Sequence, residues 1–291
     1  MDSNNSAEQK NMASKAHAEV HADETATVDG KMARLKIFRG DGEGGEHIDY
    51  EIPLVEGMVV LDAVLAIQAH QAPDLAVRWN CKAAHCGSCS AEINGSPKLL
   101  CKTRVEEYDE LEIRVGPMRA FPVIKDLVSD VSWNYRTSAS IKPFQSDEQA
   151  PFTMYEQDVE RLYEPKKCIE CFMCQDVCHV LRKHHKHPEF AGPRFFVRNQ
   201  WLEMHPMDNQ DRKRELKEEH GLGYCNITRC CTEVCPVDIK ITDNSIIPLK
   251  ERVADEYYDP ARWLMRKIRG DRNPAHAGSN GHPQAGIRMN G

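Results

Sequence analysis

The sequence predicts an α+β fold with a sheet-bearing first half and a mostly helical second half. Three observations carry this reading. Alternating apolar segments and one Asn-Gly hairpin signal lie before Gly116, segments of helical period lie after Ser146, and the 12 cysteines fall in three tight groups. A chain of 291 residues has room for two domains of ordinary size.

The first domain is expected over residues 33–134. Ala33–Arg39 alternates, with Leu35 and Ile37 on one face, and reads as a strand; Ile48–Val55 reads as a second. Val59–His70 places Val60, Val64 and Ile67 at helical spacing. Asn94-Gly95, set between apolar residues of Ser90–Cys101, signals a hairpin, and Leu111–Val115 alternates again. Strand, strand, helix, cysteine loop, hairpin and strand make a small β-grasp-like unit. The second domain is expected over residues 146–270, with helices at Asp158–Glu164, Phe195–Met204, Arg212–His220 and, despite Pro248, Asn244–Ala254. Ile141–Pro151 reads as a linker. Residues 1–31 and 271–291 read as loose tails, and Met32 offers an alternative start.

Composition narrows the function. Hydrophobic residues at 41% and charged residues at 29% are globular proportions. A net charge of −7 excludes the basic footprint that nucleic acid requires. No apolar run reaches the ~20 residues of a membrane span; the best, Met58–Ile67, is short and carries Asp62. No basic start followed by an apolar stretch marks a secretory signal. A cytoplasmic location is expected, where thiols stay reduced and grouped cysteines are metal ligands.

The first group, Cys81-x4-Cys86-x2-Cys89 with Cys101 beyond it, has the plant-type ferredoxin spacing of a [2Fe–2S] site. Such a cluster needs two thiolates per iron, three from a tight loop and one from a nearby strand. Gly87 and Ser88 are small enough for backbone N–H groups to approach the sulfurs. Structural zinc also takes four cysteines and is the competing reading. The second group, Cys168-x2-Cys171-x2-Cys174-x3-Cys178, is a bacterial ferredoxin run, whose fourth cysteine serves the other cluster of a pair. The partner run is Cys225-x2-Thr228-x2-Cys231-x3-Cys235-Pro236, with Thr228 where a second cysteine belongs. Cys235 then joins Cys168, Cys171 and Cys174 at a [4Fe–4S] cluster, while Cys178, Cys225 and Cys231 suit a [3Fe–4S] cluster. Cys230 is left over, two residues from the vacant corner. It reads as a buried free thiol or, more sharply, as a fourth ligand that makes the last cluster [4Fe–4S].

A plant-type [2Fe–2S] domain followed by a bacterial two-cluster domain lacking one cysteine resembles the iron–sulfur subunit of the succinate dehydrogenase and fumarate reductase family. The resemblance spans roughly residues 33–267 and rests on Arg78-Trp79-Asn80-Cys81, Cys86-Gly87-Ser88-Cys89, Cys168-Ile169-Glu170-Cys171, Gly192-Pro193 and Cys231-Thr232-Glu233-Val234-Cys235-Pro236. It implies an N-terminal β-grasp plant-type ferredoxin domain and a C-terminal helical bacterial-ferredoxin-like domain. It also implies a FAD-containing flavoprotein partner and one or two membrane-anchor subunits with a quinone site, with haem b in some members. The chain would then sit at the cytoplasmic face of the membrane. Electrons would enter at Cys81, Cys86, Cys89 and Cys101 and leave near Cys178, Cys225 and Cys231, with no acid, base or nucleophile supplied by this chain.

The sequence departs from the family at Ala84, where many members have Gly. His179 replaces the proline after the fourth cysteine of the first run, Arg182 and Lys183 replace nearby tryptophans, and Asn226 replaces a His. His179, Trp201 and Asn226 are the candidate quinone contacts. Arg182–His187 is a basic, His-rich run read as a solvated loop or a headgroup contact, and Arg262–Lys267 as a docking helix. Quinol:fumarate reductase, a soluble ferredoxin-like carrier and a structural zinc protein are the alternative functions.

Overall fold

A computed structural model describes residues 27–108, 112–147 and 153–269. The first half is a five-stranded sheet of order β2-β1-β5-β3-β4. β1 (Thr27–Asp41) and β2 (Gly44–Val55) form an antiparallel hairpin with Leu35 opposite Tyr50 and Ile37 opposite Ile48. β1 begins earlier than its alternation suggested. Thr27 already pairs with Val55, so residues 27–31, read as part of the tail, are strand, and Met32 lies inside it. Residues 1–26, the remainder of the first expected tail, and residues 270–291, the second expected tail with the last residue of the second domain, lie outside the described residues.

Helix α1 (Val60–His70) buries Val60, Leu61, Ala63, Val64 and Ile67, the face its periodicity marks. β3 (Ser90–Ile93) and β4 (Ser96–Leu99) are joined by Asn94 and Gly95, both at positive φ, the two-residue turn that matches strand twist. β5 (Glu112–Gly116) runs parallel to β1 and antiparallel to β3. A central parallel pair with a helix in the crossover is the β-grasp arrangement.

Beyond Gly116 the chain leaves that core. β6 (Val123–Lys125), β7 (Val128–Ser129) and α2 (Ser132–Ser140) follow. Met118, Phe121, Val131, Trp133 and Ile141 pack with Phe195, Phe196 and Leu216 of the second half. In exchange, Cys171 and Met173 join the β-grasp core. The two halves are thus laced together rather than set side by side.

Of the expected linker, residues 141–147 are described, and this stretch is strapped down. The guanidinium of Arg212, fully buried, donates to the Lys142 and Pro143 carbonyls at 2.6 and 3.0 Å and pairs with buried Asp208 at 2.6 Å. Asn209 N–H donates to the Gln145 carbonyl at 2.9 Å. A guanidinium fork offers several donors at once, so one buried side chain holds two loop carbonyls and a carboxylate.

The helical half contains α3 (Glu156–Lys166), α4 (Met173–Asp176), α5 (His179–Arg182), α6 (Pro193–Glu203), α7 (Lys213–Glu218), α8 (Cys230–Glu233), α9 (Ile247–Tyr258) and α10 (Pro260–Arg269). Pro165 sits in the last turn of α3, where the helix ends anyway. α6 opens two residues before its predicted start because Pro193 suits the first helical position. Pro248 is accommodated at the start of α9, behind a π-turn at Ile241–Ile246. No helix of the described residues is long and apolar enough to cross a membrane.

Candidate metal centres

The loop that leads into β3 is built around its sulfurs. Lys82, Ala84 and Gly87 all take positive φ, which turns successive amides inward. Ala83 N–H and His85 N–H donate to Cys81 Sγ at 3.4 and 3.3 Å, and Cys81 N–H donates to Cys86 Sγ at 3.5 Å. Ala84, a mild departure by sequence, thereby sits in the left-handed region at a cost of about 1 kcal/mol. Burial opposes ionisation of Cys86, but the Ser88 hydroxyl, the Ser88 amide and Cys81 outweigh it and bring its thiol down to about 6. Cys89 lies deeper. Burial, with Cys101 beside it, pushes its thiol up to about 12. Leu100 N–H donates to the Cys89 carbonyl at 3.1 Å, which ties the end of β4, and so Cys101, to the loop.

The two later runs are local copies of one another. Glu170 and Phe172 stand at positive φ two and four residues after Cys168; Ile227 and Arg229 do so two and four residues after Cys225. Each loop then enters a one-turn helix, α4 or α8. The left-handed residues turn each loop sharply before its helix.

The sulfurs are grouped across the runs. Cys168, Cys171, Cys174 and Cys235 line one small apolar cavity of about 20 Å3 with Phe172 and Ile239. Ile239 N–H donates to Cys235 Sγ at 3.3 Å. Burial pushes the Cys171 thiol up to about 12 and that of Cys174 well above its ordinary value. Cys178 and Cys231 are buried in the core of the helical half, and Cys225 packs against it. Burial raises Cys178 to about 12 and Cys231 to about 11, the latter against a hydrogen bond with the Thr242 hydroxyl at 3.5 Å. Among the described residues no three Cys, His, Asp or Glu side chains close on a single-ion centre. A multi-iron cluster holds its thiolates farther apart, each on its own iron.

These surroundings suit iron–sulfur clusters. Twelve cysteines are free, amides point at sulfurs, and largely apolar side chains surround Cys168, Cys171, Cys174 and Cys235. Buried thiols with raised affinity for protons release them on binding metal, which couples assembly to folding.

One contact was not foreseeable from spacing. A Cβ on Gly87 would lie 2.6 Å from the Cys171 Cα, so Gly87 lets the first loop touch the second. The single signal for it in the sequence was a glycine inside a cysteine motif, which the need for amide approach already explained.

The candidate quinone contacts are dispersed. His179 opens α5 beside Cys178, its ring 6.1 Å from that of His184, and exposed Asn226 follows Cys225. Trp201 lies on α6 under the Arg198 guanidinium, 4.5 Å from its ring centre. The basic run is less solvated than it reads. Arg182 pairs with buried Glu92, and His187 is buried edge-on against Trp133 at 4.8 Å, which leaves Lys183, His184 and His185 exposed. In α10, Leu264, Met265 and Ile268 are exposed, while the side chains of Arg262, Trp263, Arg266 and Lys267 lie outside the described residues.

Comparison with known proteins agrees with this geometry. Residues 34–135 match a 2Fe-2S iron-sulfur cluster binding domain and residues 164–239 a 4Fe-4S dicluster domain. The chain is 32% identical over 195 residues to the fumarate reductase iron-sulfur subunit of Mycobacterium tuberculosis, covering 64% of this chain and 78% of that protein. It is 30% identical over 194 residues to the Escherichia coli protein of the same name, with the same coverage of 64% and 78%. A chain of the Mycobacterium smegmatis Sdh1 complex in the apo form superposes with a TM-score of 0.77 at 54% identity, covering 79% of this chain and 99% of that one.

Proposed function

The chain belongs to the iron–sulfur subunits of the succinate dehydrogenase and fumarate reductase family, and from that membership we propose that it conducts electrons between a flavoprotein and a membrane quinone. Cys81, Cys86, Cys89 and Cys101 would hold a [2Fe–2S] cluster. Cys168, Cys171, Cys174 and Cys235 would hold a [4Fe–4S] cluster, and Cys178, Cys225 and Cys231 a [3Fe–4S] cluster. When bound, such clusters take and give electrons singly, between a flavin that yields two and a quinone that accepts two. The chain's own residues fix the order. The close approach of Gly87 to Cys171 puts the first loop against the second centre, and this contact carries the reading. Thr228, with no thiol to offer, leaves the last centre three ligands from the family pattern.

The partners of this reading are a FAD subunit at the first loop and a membrane anchor, with or without haem b, near Cys178 and Cys225. His179 and Asn226 flank those cysteines and are the better quinone contacts; Trp201 is the weaker. Succinate oxidation is favoured over fumarate reduction because the identity to the Sdh1 chain, 54%, exceeds the 32% to the fumarate reductase subunit. The assembled complex, purified without air, should contain about nine irons per chain and reduce all three centres on addition of succinate. Zinc in place of iron, or clusters that succinate leaves oxidised, overturns the proposal.

A further inference from the structure

The third centre contains a sulfur that the family pattern does not use. Cys230 follows the left-handed Arg229 and opens α8, and its Sγ lies 3.3 Å from the Oγ1 of Thr228, the residue at the vacant corner. Cys178 and Cys231, two proposed ligands of the same centre, are buried in the core of the helical half, and Cys225, the third, packs against that core. The counterpart of Cys230 in the preceding run is Met173, which is anchored in the β-grasp core. Cys230 is half-buried and belongs to neither hydrophobic core among the described residues. Cys230 therefore brings a further thiol to the vacant corner of a centre for which three ligands suffice as [3Fe–4S].

We propose that Cys230 is an exchangeable fourth thiolate of the third centre, which lets that centre take up ferrous iron and pass between [3Fe–4S] and [4Fe–4S]. The inference rests on the ligand assignment proposed above. Its chemistry balances without an added oxidant or reductant. One electron from the succinate side brings the [3Fe–4S] core from a charge of plus one to zero. A ferrous ion then binds three core sulfides and the Cys230 sulfur, whose thiol proton passes to solvent, and the product core carries a charge of plus two. Loss of ferrous iron and reprotonation of Cys230 reverse the step. Iron supply would thereby set the state of the last electron carrier.

The test uses the intact complex, purified without air, as wild type, Cys230→Ala and Cys230→Ser. Each is reduced with succinate, given ferrous iron enriched in the Mössbauer-active isotope, freed of excess metal and reoxidised. The wild type should gain about one labelled iron per chain in an all-sulfur environment and lose most of the oxidised-state [3Fe–4S] resonance. Both variants should keep that resonance and gain no such iron. A wild type isolated already without the resonance, beside a Cys230→Ala complex that shows it, supports the proposal equally. In a wild type that shows the resonance as isolated, labelled iron that is absent or bound through oxygen overturns it, as does labelled iron taken up equally by wild type and variants. Should neither variant assemble, the all-sulfur signature of the iron added to wild type decides alone. A Cys230→Ala complex that assembles with about nine irons but no [3Fe–4S] resonance sinks the ligand assignment itself, and this inference with it.

Discussion

The first centre and the two later centres solve the same problem by different means. The first takes three cysteines from one loop, stabilises sulfur with amides at 3.3–3.5 Å, and leaves Cys86 easily ionised at about 6. In the proposed assignment the later centres exchange ligands between two runs, and Cys171, Cys174, Cys178 and Cys231 are buried among apolar side chains, with Cys171 and Cys178 raised to about 12 by that burial. A local site is prepared by its own loop. A crossed site exists only once the helical half has folded, and there metal binding and folding reinforce one another.

The sharpest way to break this contrast is Cys235→Ala. It should remove about four irons, lower succinate-driven quinone reduction by more than ~100-fold, and leave the [2Fe–2S] spectrum in place. Loss of that spectrum too would show that the first loop is not self-sufficient. Next comes the strap. Arg212→Met leaves Asp208 buried without its partner and should cost roughly 3–5 kcal/mol. Thermal unfolding followed by loss of cluster absorbance should show the helical half melting earlier, by about 10 °C.

Gly87→Ala probes the junction of the two kinds of site. The added methyl meets the Cys171 backbone at 2.6 Å and adopts positive φ at a cost of about 1 kcal/mol. Freeze-quench spectra should show normal reduction of the first centre but transfer to the second slowed roughly 10-fold. Unchanged transfer would show that the contact does not set the path.

The smallest effect concerns Asp176, buried between the two cysteines Cys174 and Cys178. Burial, with Glu92 nearby, raises its carboxyl to about 7, although the Ala120 N–H bond at 2.9 Å opposes the rise. A folded-state value above the unfolded ~3.9 means that the folded chain binds the extra proton, so this group's contribution is full at low pH and is lost as pH rises through about 7. Asp176→Asn should therefore flatten the fall in thermal midpoint between about pH 4 and 7. An identical slope in both proteins would remove Asp176 from the account.

Residues with strictly local consequences were legible. Asn94-Gly95 made its turn, Val60, Val64 and Ile67 made a buried helix face, and the template offsets of the two later runs reappear as left-handed residues at matching positions. Residues whose role lies across the chain were not. Arg212 reads as one charge among many, yet it closes the segment at Lys142 and Pro143. His187 reads as part of a wet basic run, yet it packs on Trp133. Met118, Phe121, Val131 and Trp133 read as the end of the first domain, and nothing in their spacing shows that they also pack in the second core.

By itself the sequence determined how many thiols there are, how they are spaced and that Thr228 interrupts the last run, because ligand spacing is a property of a few consecutive residues. Only the tertiary structure decided that Gly87 meets Cys171 and that Cys230 turns toward Thr228. Such approaches depend on the space that folded segments leave between them, and no local pattern encodes that space.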